Sequence, residues 1–431
     1  MKSTHRIRRK LKGWGVPFAY AITTLVLGMI IPRVEHHYFP NLVSTISAAS
    51  AMAICSSIAS GMIALTGIVF SLAIIMVQFS ATAYSPRLVL WVARDSVVSH
   101  ALGVFTATFL YALQMLAWVD RESSGKVPFV SGWLVFVLLL ASVGMFVALI
   151  ERVGLLQVTR MLIFTADQGR QAIEELYPLW EDTEPMDLAA IRKLPLTQTL
   201  AYSGRPRIVQ SLQVGELLAL ACTSKAVIEV TSAIGDSVLE KSPLLRVYSA
   251  QRPLDENALR NAMEIGDERT FQQDPKYAMR LVVDIAIKAL SPAINDPTTA
   301  VQALDQIEDM LLRLGQRRLQ MGVYRDENNS IRLVVPFPKW EDFLRLGLDE
   351  IRFCGANSIQ VMRRMNALIK NLLDVLPAVR HPELHRWEQR LQATVERAFT
   401  DEQEKKDASV ADRQGLGIGV ENPASTNQTT P

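Results

Sequence analysis

The chain has 431 residues, of which 49% are hydrophobic and 20% charged, and its formal net charge is +2. A mean hydropathy of +0.16 excludes a disordered chain, and the balanced charge excludes a generally basic nucleic-acid-binding protein. The three cysteines, Cys55, Cys222 and Cys354, are too few and too scattered for a disulfide framework or a zinc cluster.

Charged residues are absent from four long stretches in the first third of the chain. These stretches are residues 13–32, 36–86, 96–119 and 127–150. About 20 apolar residues span the core of a bilayer as an α-helix. Three of the four stretches therefore predict one membrane crossing each.

The second stretch is too long for one crossing, and its residues 44–60 are rich in Ser and Ala. We predict an amphipathic or interfacial helix at about 42–58, followed by a crossing at 60–83. Two tight crossings within 42–83 are the alternative. The predicted transmembrane domain covers 13–153, with spans at about 13–32, 60–83, 100–119 and 130–150.

Basic residues predict the orientation of these spans. Residues 1–12 carry six Lys or Arg and no acidic residue, and such segments remain on the cytoplasmic side of a membrane. With four crossings, the N-terminus and everything after residue 151 are expected in the cytoplasm. Residues 151–431 contain 34 basic and 39 acidic side chains, which is the composition of an ordinary soluble domain.

The soluble part divides by pattern into segments with different predicted structures. We predict a connecting helix and linker over 154–197, a small β-module over 198–250, a mainly helical domain over 251–400 and a disordered tail over 401–431. Within the β-module, strands are expected at 207–213, 226–231 and 244–249, with a short helix at 214–223. The fold class is therefore mainly α, with four transmembrane helices followed by a cytoplasmic α+β domain.

Two helices in this part are predicted to be joined by a tight polar turn. The helix at 277–290 is apolar apart from Arg280, Asp284 and Lys288, which follow one another at i,i+4 spacing. After the turn, Asp296 and Pro297 supply an N-cap and a first-turn proline for the second helix.

Three segments of the chain resemble one known family. The segments are GMIALTGIVFSLAIIMVQFSATAYSPRLV at 61–89, ALGVFTATFLYALQ at 101–114 and GDERTFQQDPKYAMRLVVDIAIKALSPAINDPTTAVQALDQI at 266–307. They are similar to the bacterial predicted membrane proteins called "domain of unknown function 2254". The resemblance implies a bacterial inner-membrane protein with an N-terminal membrane domain and a cytoplasmic C-terminal domain, and it implies no activity.

The second span carries a set of small and polar residues on one helix face. These residues are Ser60, Ala64, Gly67, Ser71 and Gln78. Such a face favours close helix packing, within the domain or in a dimer, or alternatively the lining of a polar pathway. The predicted spans contain no Asp, Glu, Lys or Arg, which argues against a pump or a proton-coupled carrier. A passive channel does not need these groups.

A second group of polar residues flanks the buried helix of the C-terminal part. Its members are Arg269, Asp274, Arg280, Asp284, Asn295 and Asp296. Folded together, they could bind a cation, a nucleotide or a phosphate. The alternative is a structural network of helix caps and salt bridges. No metal site is predicted, because the i,i+4 pair His381 and His385 lacks a third nearby ligand.

Sequence motifs of common enzymes are absent: there is no GxGxxG, GxxxxGK[ST], GxSxG, CxxC or HExxH. This weakens the case for an enzyme, and no cofactor is expected. The sequence favours an oligomeric inner-membrane ion channel or channel-like transport protein with a cytoplasmic assembly or gating domain. Its expected partners are the lipid bilayer, further copies of the chain and ions, with no nucleic acid. The alternative is a membrane-anchored sensor or scaffold whose cytoplasmic domain binds a ligand or a protein partner.

Overall fold

The structure is a computed structural model. It describes residues 15–39, 44–83, 96–119, 127–154, 158–179, 193–319 and 322–417. The chain divides into two compact units, Met1–Gln157 and Val158–Pro431, and each is described by itself.

The N-terminal unit is a bundle of four long apolar helices. They are α1 (Gly15–Tyr38), α2 (Ala48–Ala83), α3 (Ser96–Trp118) and α4 (Phe129–Gly154). Each contains a stretch that is long and apolar enough to cross a membrane. Together with the helices and small sheets of the C-terminal unit, this confirms the predicted fold class.

Helix α3 lies at the centre of the bundle, in contact with each of the other three helices. Its side chains Phe105, Tyr111 and Met115 are almost fully buried. A side chain at Gly103 would begin 2.5 Å from the Tyr20 ring, so glycine permits the close approach of α1 and α3. The bundle is therefore organised around α3, with α1, α2 and α4 on its outside.

Helix α2 differs from the prediction, because it is one continuous helix of 36 residues. The separation of a surface helix at 42–58 from a crossing at 60–83 is wrong, since residues 48–58 belong to the same helix as the crossing. No Pro or charged residue interrupts 48–83, and Ser and Ala are compatible with a helix interior. Residues 42 and 43 lie outside the described part of the chain. The helix is about 54 Å long.

The C-terminal unit combines helices and short strands. In chain order the elements are α5 (Val158–Leu176), β1 (Leu196–Ala201), β2 (Arg207–Leu212), α6 (Val214–Thr223), β3 (Val227–Val230), β4 (Ser237–Val238), β5 (Pro243–Tyr248), α7 (Glu256–Asn261), β6 (Met263–Gly266), α8 (Pro275–Ala289), α9 (Pro297–Gly315), β7 (Val323–Arg325), β8 (Ile331–Val334), α10 (Trp340–Cys354), α11 (Ile359–Val375), α12 (His381–Ala398) and α13 (Glu402–Ser409). The predicted strands and the short helix at 214–223 are among them. The junction at 155–157 and the linker at 180–192 lie outside the described residues.

The strands form two small sheets. One has the order β1-β5-β3-β8-β7 and the other the order β4-β2-β6. Strands β3 and β8 pair in parallel, with Ile228 opposite Leu333, and the remaining pairs are antiparallel. Because β6, β7 and β8 come from 263–334, the predicted β-module of 198–250 is too narrow: the sheets need strands from the following segment.

Three helices pack at the centre of the helical part of this unit. Helices α5, α8 and α9 contact one another, and Gly169 of α5 lies against Ala278 of α8 and Met310 of α9. The side chain of Asp296 accepts a hydrogen bond from the amide of Thr299 at 3.1 Å. This confirms the predicted N-cap of α9.

The first part of the predicted disordered tail is folded. Helix α13 packs against α11, and the amide of Asp412 donates to the carbonyl oxygen of Arg363 at 3.2 Å. The Asp412 carboxylate accepts the amides of Gln414 and Gly417 at 2.9 and 2.6 Å. The prediction of disorder is therefore wrong for 402–417, because these contacts with α11 compensate for a polar composition. Residues 418–431 lie outside the described part of the chain.

Candidate functional site

The five residues singled out on the second span share the outward side of α2. We call Ser60, Ala64, Gly67, Ser71 and Gln78 the α2 strip. All five are exposed, and a side chain added at Gly67 would meet no atom within 4 Å.

The opposite side of α2 is buried in the bundle. Met62, Val69 and Met76 on that side are at most 4% exposed. The strip is therefore turned away from the helices of its own chain.

The composition of the α2 strip sets it apart from the other outward surfaces of the bundle. Exposed residues of α1 include Phe18, Ile22 and Met29, and those of α4 include Trp133 and Leu140. Bulky apolar side chains of this kind suit lipid tails. Small and hydroxylated residues are instead enriched where membrane helices approach one another closely.

Bulky side chains border the strip on both sides. Ile63, Ile68 and Phe70 are all exposed by about half. At 100° per residue they lie on the flanks of the line from Ser60 to Gln78. The outward surface of α2 is therefore a shallow groove of small residues between apolar ridges, a shape that fits a second helix.

A buried carboxylate inside the bundle was missed by the sequence analysis. Helix α1 continues through Pro32 to Tyr38, so Arg33 and Glu35 belong to it. Glu35 is 5% exposed and accepts hydrogen bonds from the amide of Val130 at 2.8 Å and from the amide and hydroxyl of Ser131 at 3.1 and 3.0 Å.

Glu35 thus caps the first turn of α4, where unpaired amides and the helix dipole favour an anion. The predicted span of 13–32 contains no charged residue, but α1 extends beyond it to Tyr38 and so includes Arg33 and Glu35. The sequence signal for Glu35 was the lack of any helix breaker from Arg33 to Tyr38.

Several polar side chains between α3 and its neighbours form hydrogen bonds within the chain, although Gln114 Oε1 is buried without a partner among the described residues. The hydroxyls of Thr108 and Ser142 lie 2.8 Å apart and are fully buried. Each hydroxyl also lies 2.9 Å from a carbonyl oxygen of its own helix, so one hydroxyl donates to the other, which in turn donates to a carbonyl oxygen. Gln114 of α3 donates to the carbonyl oxygen of Leu25 in α1 at 3.1 Å. These contacts join helices and serve packing.

In the C-terminal unit, the six polar residues proposed as a cluster separate into local groups. Arg269 and Asp274 form the first, with an Nη2 to Oδ2 distance of 2.7 Å. Asp274 is 2% exposed and caps α8 through the amide of Tyr277 at 3.1 Å. The Arg269 guanidinium lies over the Tyr277 ring, 5.2 Å from its centre.

The turn at Gly235 lies directly on this Arg269–Asp274 pair. Gly235 has a φ of +87°, and a Cβ there would lie 2.6 Å from both Arg269 Nη2 and Asp274 Oδ2. Burial raises the pKa of Asp274, and the positive charge of Arg269 opposes that rise. Burial and the nearby Asp274 together raise the pKa of Tyr177.

The remaining four residues lie further along α8 and in the turn that follows it. Arg280 pairs with Asp284 at 2.7 Å and with Glu350 of α10 at 2.9 Å. Asn295 adopts a φ of +50° beside the capping Asp296. Ten residues of helix, about 15 Å, separate Asp274 from Asp284. The structure therefore places the six residues in separate neighbouring groups of ion pairs and helix caps.

Across the described ranges, no group of three or more His, Cys, Asp or Glu side chains is placed to hold a metal ion. His381 and His385 have separate partners. The His381 Nε2 lies 2.9 Å from the carbonyl oxygen of Leu376, and the His385 Nδ1 lies 3.3 Å from Glu388.

Comparisons with known proteins fit this arrangement of a membrane bundle and a second unit. A family model described as "Predicted membrane protein (DUF2254)" matches residues 10–371. An uncharacterized protein of Mycobacterium bovis and one of Mycobacterium tuberculosis are each 27% identical over 327 residues, covering 73% of this chain. The chain spans 62% of the length of these relatives. No solved structure matches the chain.

Proposed function

The chain belongs to the DUF2254 family of predicted membrane proteins, and we propose that it assembles into an oligomeric ion channel or channel-like transport protein of the bacterial inner membrane. In this proposal the N-terminus and the C-terminal unit lie on the cytoplasmic side, because residues 1–12 carry six Lys or Arg. The C-terminal unit assembles or gates the channel.

The observation that carries the proposal is the outward position of the α2 strip. Helix α3 fills the centre of one bundle, and the hydroxyls of Thr108 and Ser142 beside it bond to each other and to a helix carbonyl oxygen. A polar pathway is therefore more compatible with the outside of a single bundle than with its centre. When copies meet along α2, the strip faces a neighbouring copy or a central axis.

The chemistry of the strip suits passive conduction. The hydroxyls of Ser60 and Ser71 can replace water around an ion. Helix α2 carries no Asp, Glu, Lys or Arg, which are the usual relays of proton-coupled transport. The buried Glu35 belongs to α1 and is bound to the first turn of α4. We therefore propose conduction without proton coupling.

The experiment is to measure oligomeric state and ion flux for the purified chain in liposomes. Gly67→Leu would place a bulky side chain on the strip, and Gly144→Leu would do so on the exposed side of α4. Neither glycine has an atom within 4 Å of its Cβ position, so both variants keep the fold of the single bundle.

We expect Gly67→Leu to change both the oligomeric state and the flux, and Gly144→Leu to change neither. A monomeric protein without conductance contradicts the proposal. Equal behaviour of the two variants contradicts the role of the strip.

A further inference from the structure

The loop between α8 and α9 presents an apolar tip on a tightly hydrogen-bonded backbone. Pro292, Ala293 and Ile294 are exposed, Ile294 by 44%. The amides of Ile294 and Asn295 donate to the carbonyl oxygen of Ser291 at 3.0 and 2.8 Å. The loop therefore holds exposed apolar side chains at a fixed place on the surface of the C-terminal unit.

The direction of the neighbouring helices locates this loop within the C-terminal unit. Thr159 of α5 contacts Gln302 of α9, and Arg170, further along α5, contacts Asp309, further along α9. The two helices are therefore parallel. The loop lies just before the first residue of α9, so it lies at the end of the unit where α5 begins.

The packing at Gly169 independently places the loop at the end of the unit where α5 begins. Gly169 is level with Ala278 of α8 and Met310 of α9. Moving about 16 Å along each helix, eleven residues at 1.5 Å each, leads from Gly169 to Val158, from Ala278 to Ala289 and from Met310 to Thr299. The first residue of α5 is thus level with the two ends of the helices that the loop joins.

The chain connects this end of the unit to a membrane helix. Three residues, 155–157, separate Gly154 at the end of α4 from Val158 at the start of α5. Four chain steps reach at most about 14 Å. Along the chain, the end that carries the loop is therefore only a few residues away from a helix that is long and apolar enough to cross a membrane.

A basic residue at the same end suits an anionic surface. Arg160 lies in the first turn of α5 and is exposed. Ile163 of α5, one turn after Arg160, is 43% exposed. Apolar side chains beside Lys and Arg are the combination that binds the interface of an anionic bilayer.

We propose that loop 291–296 is a membrane-contact site, in which Pro292, Ala293 and Ile294 insert among phospholipid headgroups while Arg160 attracts anionic lipids. The contact fixes the C-terminal unit at the bilayer surface. It rests on the presence of membrane-spanning helices and not on the proposed channel activity.

The test places a fluorophore on the loop of the full-length chain in nanodiscs. After replacement of the native cysteines, Ile294→Cys carries an environment-sensitive label, and lipids with a nitroxide in the headgroup region serve as quenchers. Val379→Cys is the matched control, because Val379 is 59% exposed. It lies near the opposite end of α9, since its neighbour Arg380 donates to the carbonyl oxygen of Gly315.

We expect several-fold stronger quenching at position 294 than at position 379, and stronger quenching in phosphatidylglycerol than in phosphatidylcholine nanodiscs. Equal, weak quenching at the two positions overturns the proposal. A label at position 294 that is shielded from water but not quenched also overturns it, because protein and not lipid then covers the loop.

Discussion

The carboxylate of Glu35, near the end of α1, accepts both the amide and the hydroxyl of Ser131, in the first turn of α4. The two residues are 96 positions apart in sequence, and their charge-assisted hydrogen bonds join the two helices at a buried place. It predicts that Glu35 is required for the stability of the bundle.

The Glu35→Gln variant should lower the free energy of unfolding by about 1.5–3 kcal/mol, because hydrogen bonds to a charged acceptor are stronger than neutral ones. Thermal unfolding of the purified protein in detergent measures the change. Glu151→Gln is the control, since Glu151 is exposed in α4. Equal unfolding midpoints for the two variants would contradict a capping role.

The approach of α1 and α3 gives a second prediction. Gly103→Ala should destabilise the bundle by about 1–3 kcal/mol, because its new methyl group would overlap the Tyr20 ring and force the helices apart. Gly144→Ala is the control, since open space surrounds Gly144. The measurement is the unfolding midpoint in detergent; a variant at Gly103 that is as stable as the control would show that α1 and α3 are more loosely packed.

In the C-terminal unit, Asp274 and Asp267 provide a matched pair of ion-paired carboxylates. Asp274→Ala should cost about 3 kcal/mol, because it removes the cap of α8 and leaves Arg269 partly buried without its carboxylate. Asp267→Ala should cost less than about 1 kcal/mol, because its pairs with Arg205 and Arg207 are exposed. Thermal unfolding followed by circular dichroism measures the loss of stability in each variant. Similar losses of stability in the two variants would mean that the Arg269–Asp274 pair has no special structural role.

The Asp412 carboxylate predicts a pH dependence of the C-terminal segment. Burial raises the pKa of Asp412, but the amides of Gln414, Gly417 and Gly415 outweigh this and lower it overall. Because the folded-state pKa is the lower one, the stabilisation is complete at neutral pH and is lost as the pH falls through that value.

Amide exchange at Gln414 and Gly417, corrected for the intrinsic effect of pH, should therefore accelerate in acid. Asp412→Asn should accelerate it already at neutral pH, whereas Asp374→Asn, at an exposed position of α11, should not. Unchanged exchange in Asp412→Asn would show that the contacts of α13 alone hold the segment.

Local chemistry made part of this fold predictable. The charge-free stretches identified four membrane helices, since a helix satisfies its backbone polar groups within one segment. Asp296 followed by Pro297 marked the start of α9, because both residues act on their own first turn.

Features that depend on how the helices pack against one another were not predictable from the local sequence. From the sequence, Glu35 lies outside the predicted span and resembles a loop residue. Only the folded bundle places the amides of α4 next to it. The residues of the proposed polar cluster do not form one group, because the rigid helix α8 lies between Asp274 and Asn295 and holds them apart. The outward direction of the α2 strip is a property of the bundle, since periodicity shows that residues share a face but not what that face contacts.

The parallel pairing of β3 with β8 has a consequence for how the protein is made. Ile228 meets Leu333, a residue synthesised more than a hundred positions later. At synthesis rates of about 5–20 residues per second, the edge of β3 that pairs with β8 stays unpaired for roughly 5–20 s while the intervening chain is made. During that interval the membrane helices have already emerged, so insertion into the bilayer begins before the C-terminal unit can close its larger sheet. An unpaired strand edge is an aggregation risk, and the nascent chain is most vulnerable to misassembly in this window.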